Sequence, residues 1–365
     1  MSGKTCIFVL GMHRSGTSAL TGLLNTLGVE LGEKLLSPLV DNPKGFFENQ
    51  RVYDLNERFI QQCGFRWDDP FFFGQEWLEE KTTTLFKEEI KQFLEKEFQG
   101  ASLFSIKDPR ISILFPLWRE ACEGSDILPV CILPIRHPVE VAKSLQVRNG
   151  FSLNKGINLW MNHTLAAEKN SRGCRRVFLS FNQLVNEPEC VVEQLIEVFR
   201  LDDVIPDDYL ERARGFVDKK LKHHDSENFT EGFGAGLVDQ AVDLFFAMCE
   251  QGEQRISILK FDKIRKQYNT EKDFFLFQDF KQVMSAYYTY NDLERELQVC
   301  RDDNVEVRRR LEELSKEKND LLGEVEKLQN NYEQAAGEVE LMKSTAAWRI
   351  AEKLRRIRNL LGGKI

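Results

Sequence analysis

The residues best suited to chemistry stand in a short glycine-containing segment near the N-terminus. Residues 11–18, with the sequence GMHRSGTS, follow the apolar run at 6–10 and precede a helical pattern of leucines. Backbone N–H groups at the start of a helix, together with the helix dipole, attract anions. The hydroxyl groups of Ser15, Thr17 and Ser18 can add hydrogen bonds, so this segment predicts a phosphate-binding loop.

The loop departs from the pattern that binds nucleoside triphosphates, G-x4-G-K-[ST]. Thr17 stands where that pattern has its lysine, and Arg14 supplies a cation from inside the loop instead. This favours a shorter 5′ phosphate-linked group over a magnesium-bound triphosphate. An ordinary corner between a strand and a helix is the alternative interpretation.

A second anion-binding pattern follows a later apolar run. Arg136 comes directly after the predicted strand 128–135, and Pro138 stands at the favoured first position of a helix. Ser144 lies eight residues after Arg136. An arginine and a serine so placed can hold one phosphate, the arginine through its planar guanidinium. A helix-capping arginine is the alternative.

Four short apolar runs predict the strands that position these residues, and helical patterns lie between them. The strands are 6–10, 103–106, 128–135 and 177–179, and the helices are about 84–98, 111–122, 138–148, 156–170 and 188–200. We expect Pro129 and Pro134 to weaken the ends of the third strand. The alternation predicts an α/β fold, a three-layer parallel sheet with a P-loop-like phosphate-binding loop. Ligands bind at the carboxyl ends of such strands.

The two patterns together resemble those of the sulfotransferases that use 3′-phosphoadenosine 5′-phosphosulfate (PAPS). Residues 14–17 look like their 5′-phosphosulfate loop, [KR]-[SG]-G-T, and Arg136 with Ser144 looks like their 3′-phosphate site, R-x7-S. The resemblance covers about residues 5–200. It implies transfer of a sulfuryl group from PAPS to a hydroxyl acceptor without a metal. It also implies that His13, Arg14, Ser15, Gly16, Thr17 and Ser18 bind the 5′ group.

The resemblance extends to residues 107–110, with the sequence KDPR, which follow the second strand. Lys107 looks like the lysine that carries charge on the transferring sulfuryl group in this family. Arg14 is expected to stabilise the leaving oxygen together with it. An ion-paired loop is the alternative at this place.

A carboxylate for general-base chemistry is expected in residues 42–49, NPKGFFEN, which resemble a stretch of bacterial carbohydrate-type sulfotransferases. Glu48 is the residue that this resemblance selects. Glu30, Glu33 and His13 remain alternatives, because spacing alone does not separate them.

Two departures from the family pattern affect the donor site. The R-K-G motif that closes over adenosine 3′,5′-bisphosphate is missing from the sequence. Lys219, Lys220 and Lys222, which adjoin a glycine-rich loop predicted at 221–236, could replace it. Residues 182–184 match the family's Y-E-D-L-x-x-x-P segment only loosely.

The acceptor is expected to be a carbohydrate or surface glycan. Residues 67–73, WDDPFFF, offer the aromatic and acidic groups that suit a sugar, with core and turn as the alternative interpretation. The stretch S-x-x-x-W-R at 344–349 resembles tails on bacterial enzymes that build surface polysaccharides.

The C-terminal part has a different character from the catalytic domain predicted at 1–285. Apolar residues alternate at spacings of four and three for about seven heptads, which predicts a coiled coil at 286–343. Asn304 at a core position favours a homodimer. Residues 344–365 carry six basic residues against Glu352 and an apolar stripe, so this tail can lie on an anionic membrane surface. A polar end of the coil is the alternative.

Composition excludes several classes of protein. A net charge of −8 argues against a nucleic-acid partner. Eight cysteines without C-x-x-C spacing argue against a zinc ribbon or disulfide scaffold and favour a reducing cytoplasm, with the tail at the inner face of the membrane. We expect no transmembrane helix and no signal peptide.

Two other functions remain open from the sequence. A P-loop kinase or nucleoside triphosphatase would use magnesium and ATP or GTP, but a lysine is expected where Thr17 stands. A non-catalytic scaffold would act through the coil alone. The presence of Arg14, Lys107, Arg136 and Ser144 counts against that scaffold.

Overall fold

The structure is a computed structural model that describes residues 3–38, 45–69, 80–202, 204–216, 236–250, 258–276, 306–344, 350–351 and 353–354. Contacts divide the chain into one unit of residues 1–230 and 238–264 and another of residues 231–237 and 265–365. Several predictions fall outside the described residues: the loop at 221–236 except its last residue, the phenylalanine run at 71–73, the domain boundary near 285 and Asn304.

A parallel sheet of four strands forms the centre of the first unit, in the order β2-β1-β3-β4. The strands are β1 (Lys4–Val9), β2 (Leu103–Lys107), β3 (Ile127–Ile135) and β4 (Arg175–Ser180). All four predicted strands and the α/β class are therefore confirmed. Because β1 lies between β2 and β3, the carboxyl ends of these three strands adjoin.

Twelve helices are seen in the described residues. In chain order they are α1 (Thr17–Thr26), α2 (Gln50–Gln62), α3 (Glu80–Glu97), α4 (Ile111–Glu123), α5 (Pro138–Asn149), α6 (Leu153–Asn170), α7 (Phe181–Asn186), α8 (Pro188–Phe199), α9 (Tyr209–Phe216), α10 (Leu237–Glu250), α11 (Ile258–Leu276) and α12 (Glu306–Ser344). The five predicted helices of the first unit correspond to α3, α4, α5, α6 and α8.

Side chains of β1 alternate between two apolar layers, as a sheet covered on both faces requires. Ile7 and Val9 belong to a buried cluster with leucines of α1 and apolar residues of α8. Phe8, on the opposite face, packs edge-on against Phe115 of α4 at 5.1 Å between ring centroids. The predicted three-layer arrangement is therefore present.

The two prolines of β3 lie near its ends, and the strand extends beyond each of them. Pro129 pairs with Cys6 of β1 before β4 begins, and Pro134 pairs with Leu179 of β4 after β1 has ended. Each proline lies where β3 has a neighbour on one side only. The missing N–H is tolerated at such positions.

Helix α2 was not predicted, although its sequence carries the signals of a helix. The Asn49 side chain caps it by accepting hydrogen bonds from the N–H groups of Arg51 and Val52, at 2.9 and 3.3 Å. The apolar residues Val52, Leu55, Phe59 and Ile60 are buried on one face. Asn49 comes directly after Glu48, so the cap of this helix fixes the backbone next to that carboxylate.

The second unit contains a long C-terminal helix, as predicted. Helix α12 spans 39 residues. At predicted heptad positions, Leu314 is buried and Leu321, Val325 and Leu328 are half-buried. The described residues of the basic tail, which are 344, 350–351 and 353–354, are helical. Among the residues that the structure describes, no helix has the length and apolar composition to cross a membrane.

Candidate functional site

The residues singled out by the sequence meet at the carboxyl ends of three adjacent strands. The loop 11–18 follows β1, Lys107 ends β2, and Arg136 follows β3. Glu48 reaches the same place from the segment before α2, and Ser144 from α5. The parallel order β2-β1-β3 brings these residues together, as the α/β interpretation requires.

The loop 11–18 leads into α1 and leaves the N–H groups of its first turn without a capping side chain. Arg14 and Gly16 have φ angles of 70° and 91°, and the Ser15 N–H donates to the Met12 carbonyl at 3.2 Å. Gly16 precedes the helix and has no side chain with which to cap it. The N–H groups of the first turn are therefore left for other acceptors.

Glycine is required at position 16 for two reasons. Its φ lies in the left-handed region, which side chains disfavour. In addition, a Cβ at this position would lie 2.5 Å from the Phe181 ring. The same ring faces the Arg136 guanidinium at 4.6 Å from its centroid. Phe181 therefore supports both the loop and the arginine.

Lys107 is held at the site by three acceptors. Its Nζ donates to Ser18 Oγ at 3.1 Å and to the Phe46 carbonyl at 3.2 Å, and it pairs with Glu48 Oε1. The side chains of Lys107 and Glu48 are 2% and 5% exposed. An ammonium has three N–H donors, so these contacts use all of them.

Glu48 is positioned by a short pairing of backbone segments. The Leu36 N–H donates to the Glu48 carbonyl at 2.8 Å, and the Gln50 N–H donates to the Lys34 carbonyl at 2.8 Å. Burial raises the pKa of the Glu48 carboxyl above its usual value, although Lys107 acts in the opposite direction. A carboxyl with a raised pKa is better matched to proton transfer near neutral pH.

The structure separates the alternative carboxylates from this site. Glu30 is exposed and bridges Phe104 at the outer edge of β2, well before the end of that strand. Glu33 is also exposed, and its N–H donates to Glu97. Glu48 is the one of these three acids that contacts Lys107.

The loop after Lys107 contains the ion pairs of the alternative interpretation. Asp108 accepts hydrogen bonds from the Arg110 N–H at 2.9 Å and Nη1 at 3.0 Å, and from Asn56 Nδ2 at 3.0 Å. Arg110 also pairs with Glu57 of α2 at 2.8 Å. Sequence reasoning missed Asn56 and Glu57 because it missed α2. This buried network holds the end of β2 rigidly while Lys107 points to Glu48.

Arg136 contacts the backbone of the loop 11–18. Its Nε donates to Glu140 Oε2 at 2.9 Å, and its Nη1 donates to the Arg14 carbonyl at 3.3 Å. Its Nη2 is buried and has no hydrogen-bond partner among the described residues. The arginine thus joins the two anion-binding patterns and keeps one donor for a further acceptor.

The Arg14 side chain contacts Ser144, which the sequence placed in the other pattern. Arg14 Nε donates to Ser144 Oγ at 2.8 Å. The predicted 5′ loop and the predicted 3′-phosphate pair therefore share a direct side-chain contact.

His13 is buried against an aromatic ring at the edge of the site. Its imidazole packs edge-on against Trp67 with ring centroids 4.5 Å apart. Burial, and after it the charge of Arg148, holds the pKa of His13 well below its usual value. The ring is therefore neutral at pH 7. The Arg148 guanidinium lies over the Trp67 ring, 5.6 Å from its centroid.

The site has the features of an anion cradle. His13 Nε2, Ser15 Oγ and Arg136 Nη2 are buried polar atoms without hydrogen-bond partners in the described ranges. Such atoms are uncommon in folded proteins, in which a ligand, an ion or a bound water completes them. Within the same ranges, no cluster of His, Cys, Asp or Glu is placed to hold a metal. Fold and site thus define an α/β protein with a four-stranded parallel sheet and a P-loop-like loop between β1 and α1.

No protein-family model and no curated protein matches this chain. The solved structures that are similar to it include three sulfotransferases. The sulfotransferase domain of the Synechococcus PCC 7002 olefin synthase is 16% identical over 73% of this chain and 95% of that chain, with a TM-score of 0.36. The sulfotransferase domain of the curacin biosynthetic pathway is 14% identical over 73% and 98%, with a TM-score of 0.35.

The third similar structure is the sulfotransferase STF1 of Mycobacterium tuberculosis H37Rv. It is 15% identical over 58% of this chain and 71% of that chain, with a TM-score of 0.33. Identities and scores of this size do not establish a family. The function is therefore argued from the residues of the site.

Proposed function

We propose that the first unit is a sulfotransferase that transfers a sulfuryl group from PAPS to a hydroxyl acceptor. The observation that carries this proposal is the contact between the two anion-binding patterns. Arg136 and Arg14 are 122 residues apart in the sequence, and the guanidinium of one donates to the carbonyl of the other. PAPS carries two separate anionic groups, on the 5′ and 3′ sides of one ribose, so two adjoining anion sites suit it.

In this proposal the loop 11–18 binds the 5′ group and the second pattern binds the 3′-phosphate. The open N–H groups at the start of α1 and the orphaned Ser15 hydroxyl are donors for the 5′ group. Arg136 Nη2 is a donor for the 3′-phosphate, and Ser144 adds a hydroxyl. ATP lacks a 3′-phosphate, so this second site selects the donor. The residues present therefore fit PAPS, and no metal is needed in the proposal.

The catalytic side chains in this proposal are Lys107 and Glu48. Sulfuryl transfer develops negative charge on the leaving phosphate oxygen and on the equatorial oxygens, so catalysis rests on positioning and electrostatic stabilisation. Lys107 supplies the buried positive charge. The Glu48 carboxylate takes the proton of the acceptor hydroxyl, and a general base of this kind contributes about 10²–10⁴-fold.

The acceptor side of the proposal is a carbohydrate or surface glycan. Trp67 is half-buried beside His13 at the edge of the loop, and Asp68 pairs with Lys155 at 2.9 Å. An aromatic ring beside fixed polar groups suits the apolar face and the hydroxyls of a sugar. His13 Nε2 is an unpartnered atom that an acceptor hydroxyl could use.

The second unit, in this proposal, gives the enzyme its assembly and its place in the cell. The heptad stripe of α12 pairs two chains in a coiled coil, and the basic tail 344–365 rests on the inner face of the cytoplasmic membrane. Such a stalk would bring a catalytic domain to a lipid-linked glycan. Pelleting with anionic liposomes tests the tail: the intact protein should pellet, and a truncation after Met342 should not.

Calorimetric titration with adenosine 3′,5′-bisphosphate, the product of PAPS, tests the donor site. ATP with magnesium is titrated in parallel, on wild type and on Arg136→Ala. We expect magnesium-independent binding of the bisphosphate to wild type and its loss in the variant, with the melting temperature of each protein recorded. Binding of ATP with magnesium alone would indicate a kinase. Binding of neither would favour a scaffold.

A further inference from the structure

Arg14 has a backbone conformation that a residue with a side chain adopts only under constraint. Its φ of 70° lies in the left-handed region, which is unfavourable for residues other than glycine. The Arg136 guanidinium donates to its carbonyl at 3.3 Å. Strain of this kind persists where the surroundings fix it, and it concentrates at functional sites.

This conformation sends the Arg14 side chain to α5. Arg14 Nε donates to Ser144 Oγ at 2.8 Å, and Ser144 is itself 6% exposed. Ser144 is one of the two residues assigned to the 3′-phosphate under the proposed function. An anion that contacts Ser144 therefore lies within reach of the Arg14 guanidinium as well.

The charges at this place require a second cation. Arg136 is paired with Glu140, whose side chain is 5% exposed, so the two together carry no net charge. A phosphate dianion placed beside a neutral pair would be poorly compensated in a buried site. The Arg14 guanidinium, whose Nε donates to Ser144 Oγ, is a second cationic group at this place.

We propose that Arg14 binds the 3′-phosphate of the donor, rather than its leaving oxygen, and so determines donor specificity. This inference rests on the proposed function and replaces the role at the leaving oxygen that the family resemblance implies for Arg14. Stabilisation of the leaving oxygen then falls to Lys107 and to the N–H groups of the loop. Arg14 of the loop 11–18 would thus recognise the phosphate on the 3′ side of the ribose.

Two nucleotides that differ only in the 3′-phosphate test the assignment. Adenosine 3′,5′-bisphosphate and adenosine 5′-monophosphate are titrated calorimetrically into wild type, Arg14→Ala and Arg175→Ala. Arg175 is an exposed arginine at the opposite end of β4, so its variant is a control for the loss of one positive charge. The melting temperature of each protein is measured by circular dichroism.

Arg14→Ala should weaken the bisphosphate at least tenfold, the usual size of a lost hydrogen bond to a charged group. The monophosphate should bind within about twofold of wild type, and Arg175→Ala should change neither. Ser144→Ala should cost less in the Arg14→Ala background than alone, because the two side chains act together.

Equal weakening of both nucleotides by Arg14→Ala would place Arg14 at the 5′ group and overturn the inference. Unchanged binding of both nucleotides would overturn it as well. A different result identifies failure of the proposed function itself: wild type that binds neither nucleotide. The two failures are therefore distinguishable in one set of titrations.

Discussion

Lys107 and Glu48 form a buried ion pair in which the lysine has no donor to spare. Ser18, the Phe46 carbonyl and Glu48 occupy its three N–H groups. Lys107 must therefore release one acceptor before it can contact an oxygen of a ligand. Under the proposed function, a proton that moves onto Glu48 removes its negative charge and weakens its hold on the ammonium. Proton transfer and charge stabilisation are then coupled through this pair.

Glu48→Gln should separate the base from the structural role of this side chain. The amide keeps an oxygen for Lys107 but has no basic oxygen at neutral pH, so turnover of PAPS to adenosine 3′,5′-bisphosphate should fall by about 10²-fold or more. Binding of the bisphosphate should be unchanged. Glu33→Gln is the matched control and should retain wild-type turnover, because Glu33 is exposed and apart from Lys107. A loss in Glu33→Gln equal to that in Glu48→Gln would contradict the assignment.

Gly16→Ala should abolish binding of the bisphosphate, and Gly28→Ala should not. Both glycines have positive φ angles, 91° and 89°, so alanine strains the backbone equally at each, by about 1–2 kcal/mol. A Cβ at Gly16 would also meet the Phe181 ring, whereas nothing lies within 4 Å of one at Gly28. Denaturant unfolding should therefore show a larger loss for Gly16→Ala. If Gly16→Ala and Gly28→Ala lose the same amount of stability and the same amount of binding, the contact with Phe181 is unimportant.

Much of this site follows from the sequence because local signals and topology agree. The apolar runs, the glycine loop and Pro138 mark three strand ends, and a parallel sheet brings such ends together. The contacts between the patterns do not follow. The Arg14 side chain contacts Ser144 from a left-handed backbone conformation. A hydrophobic pattern in the sequence does not specify the φ angle of a single residue.

The missed parts share one physical cause. The capping residue Asn49 and the apolar residues at helical spacing indicate helix α2 in the sequence. The sequence does not show which residues of other elements this helix contacts. Asn56 and Glu57 of that helix bind Asp108 and Arg110 of a distant loop. Long-range hydrogen bonds and ion pairs of this kind depend on tertiary packing, and a single sequence carries no direct record of them.

The buried His163 should make the protein sensitive to acid. Burial lowers its pKa from 6.5 to about 4, so the folded state stays unprotonated at a pH where the unfolded state binds a proton. Stability due to the neutral ring is present above pH 6.5 and is lost as the pH falls toward 4. Relative to His163→Gln, wild type should lose about 2 kcal/mol of unfolding free energy between pH 7 and pH 5. Urea unfolding at both pH values measures this difference, and parallel losses in the two proteins would contradict the pKa shift.

The heptad stripe of α12 should hold two chains together. Leu321 is a predicted core position and is half-buried in the single chain, whereas Leu322 beside it is 39% exposed and faces away from the stripe. Leu321→Glu places a charge in the proposed seam, so sedimentation velocity should show a shift from dimer to monomer at micromolar concentration. Leu322→Glu adds the same charge outside the seam and should leave the wild-type dimer intact. A monomeric wild type, or dissociation by both variants alike, would show that the stripe does not form the seam of a dimer.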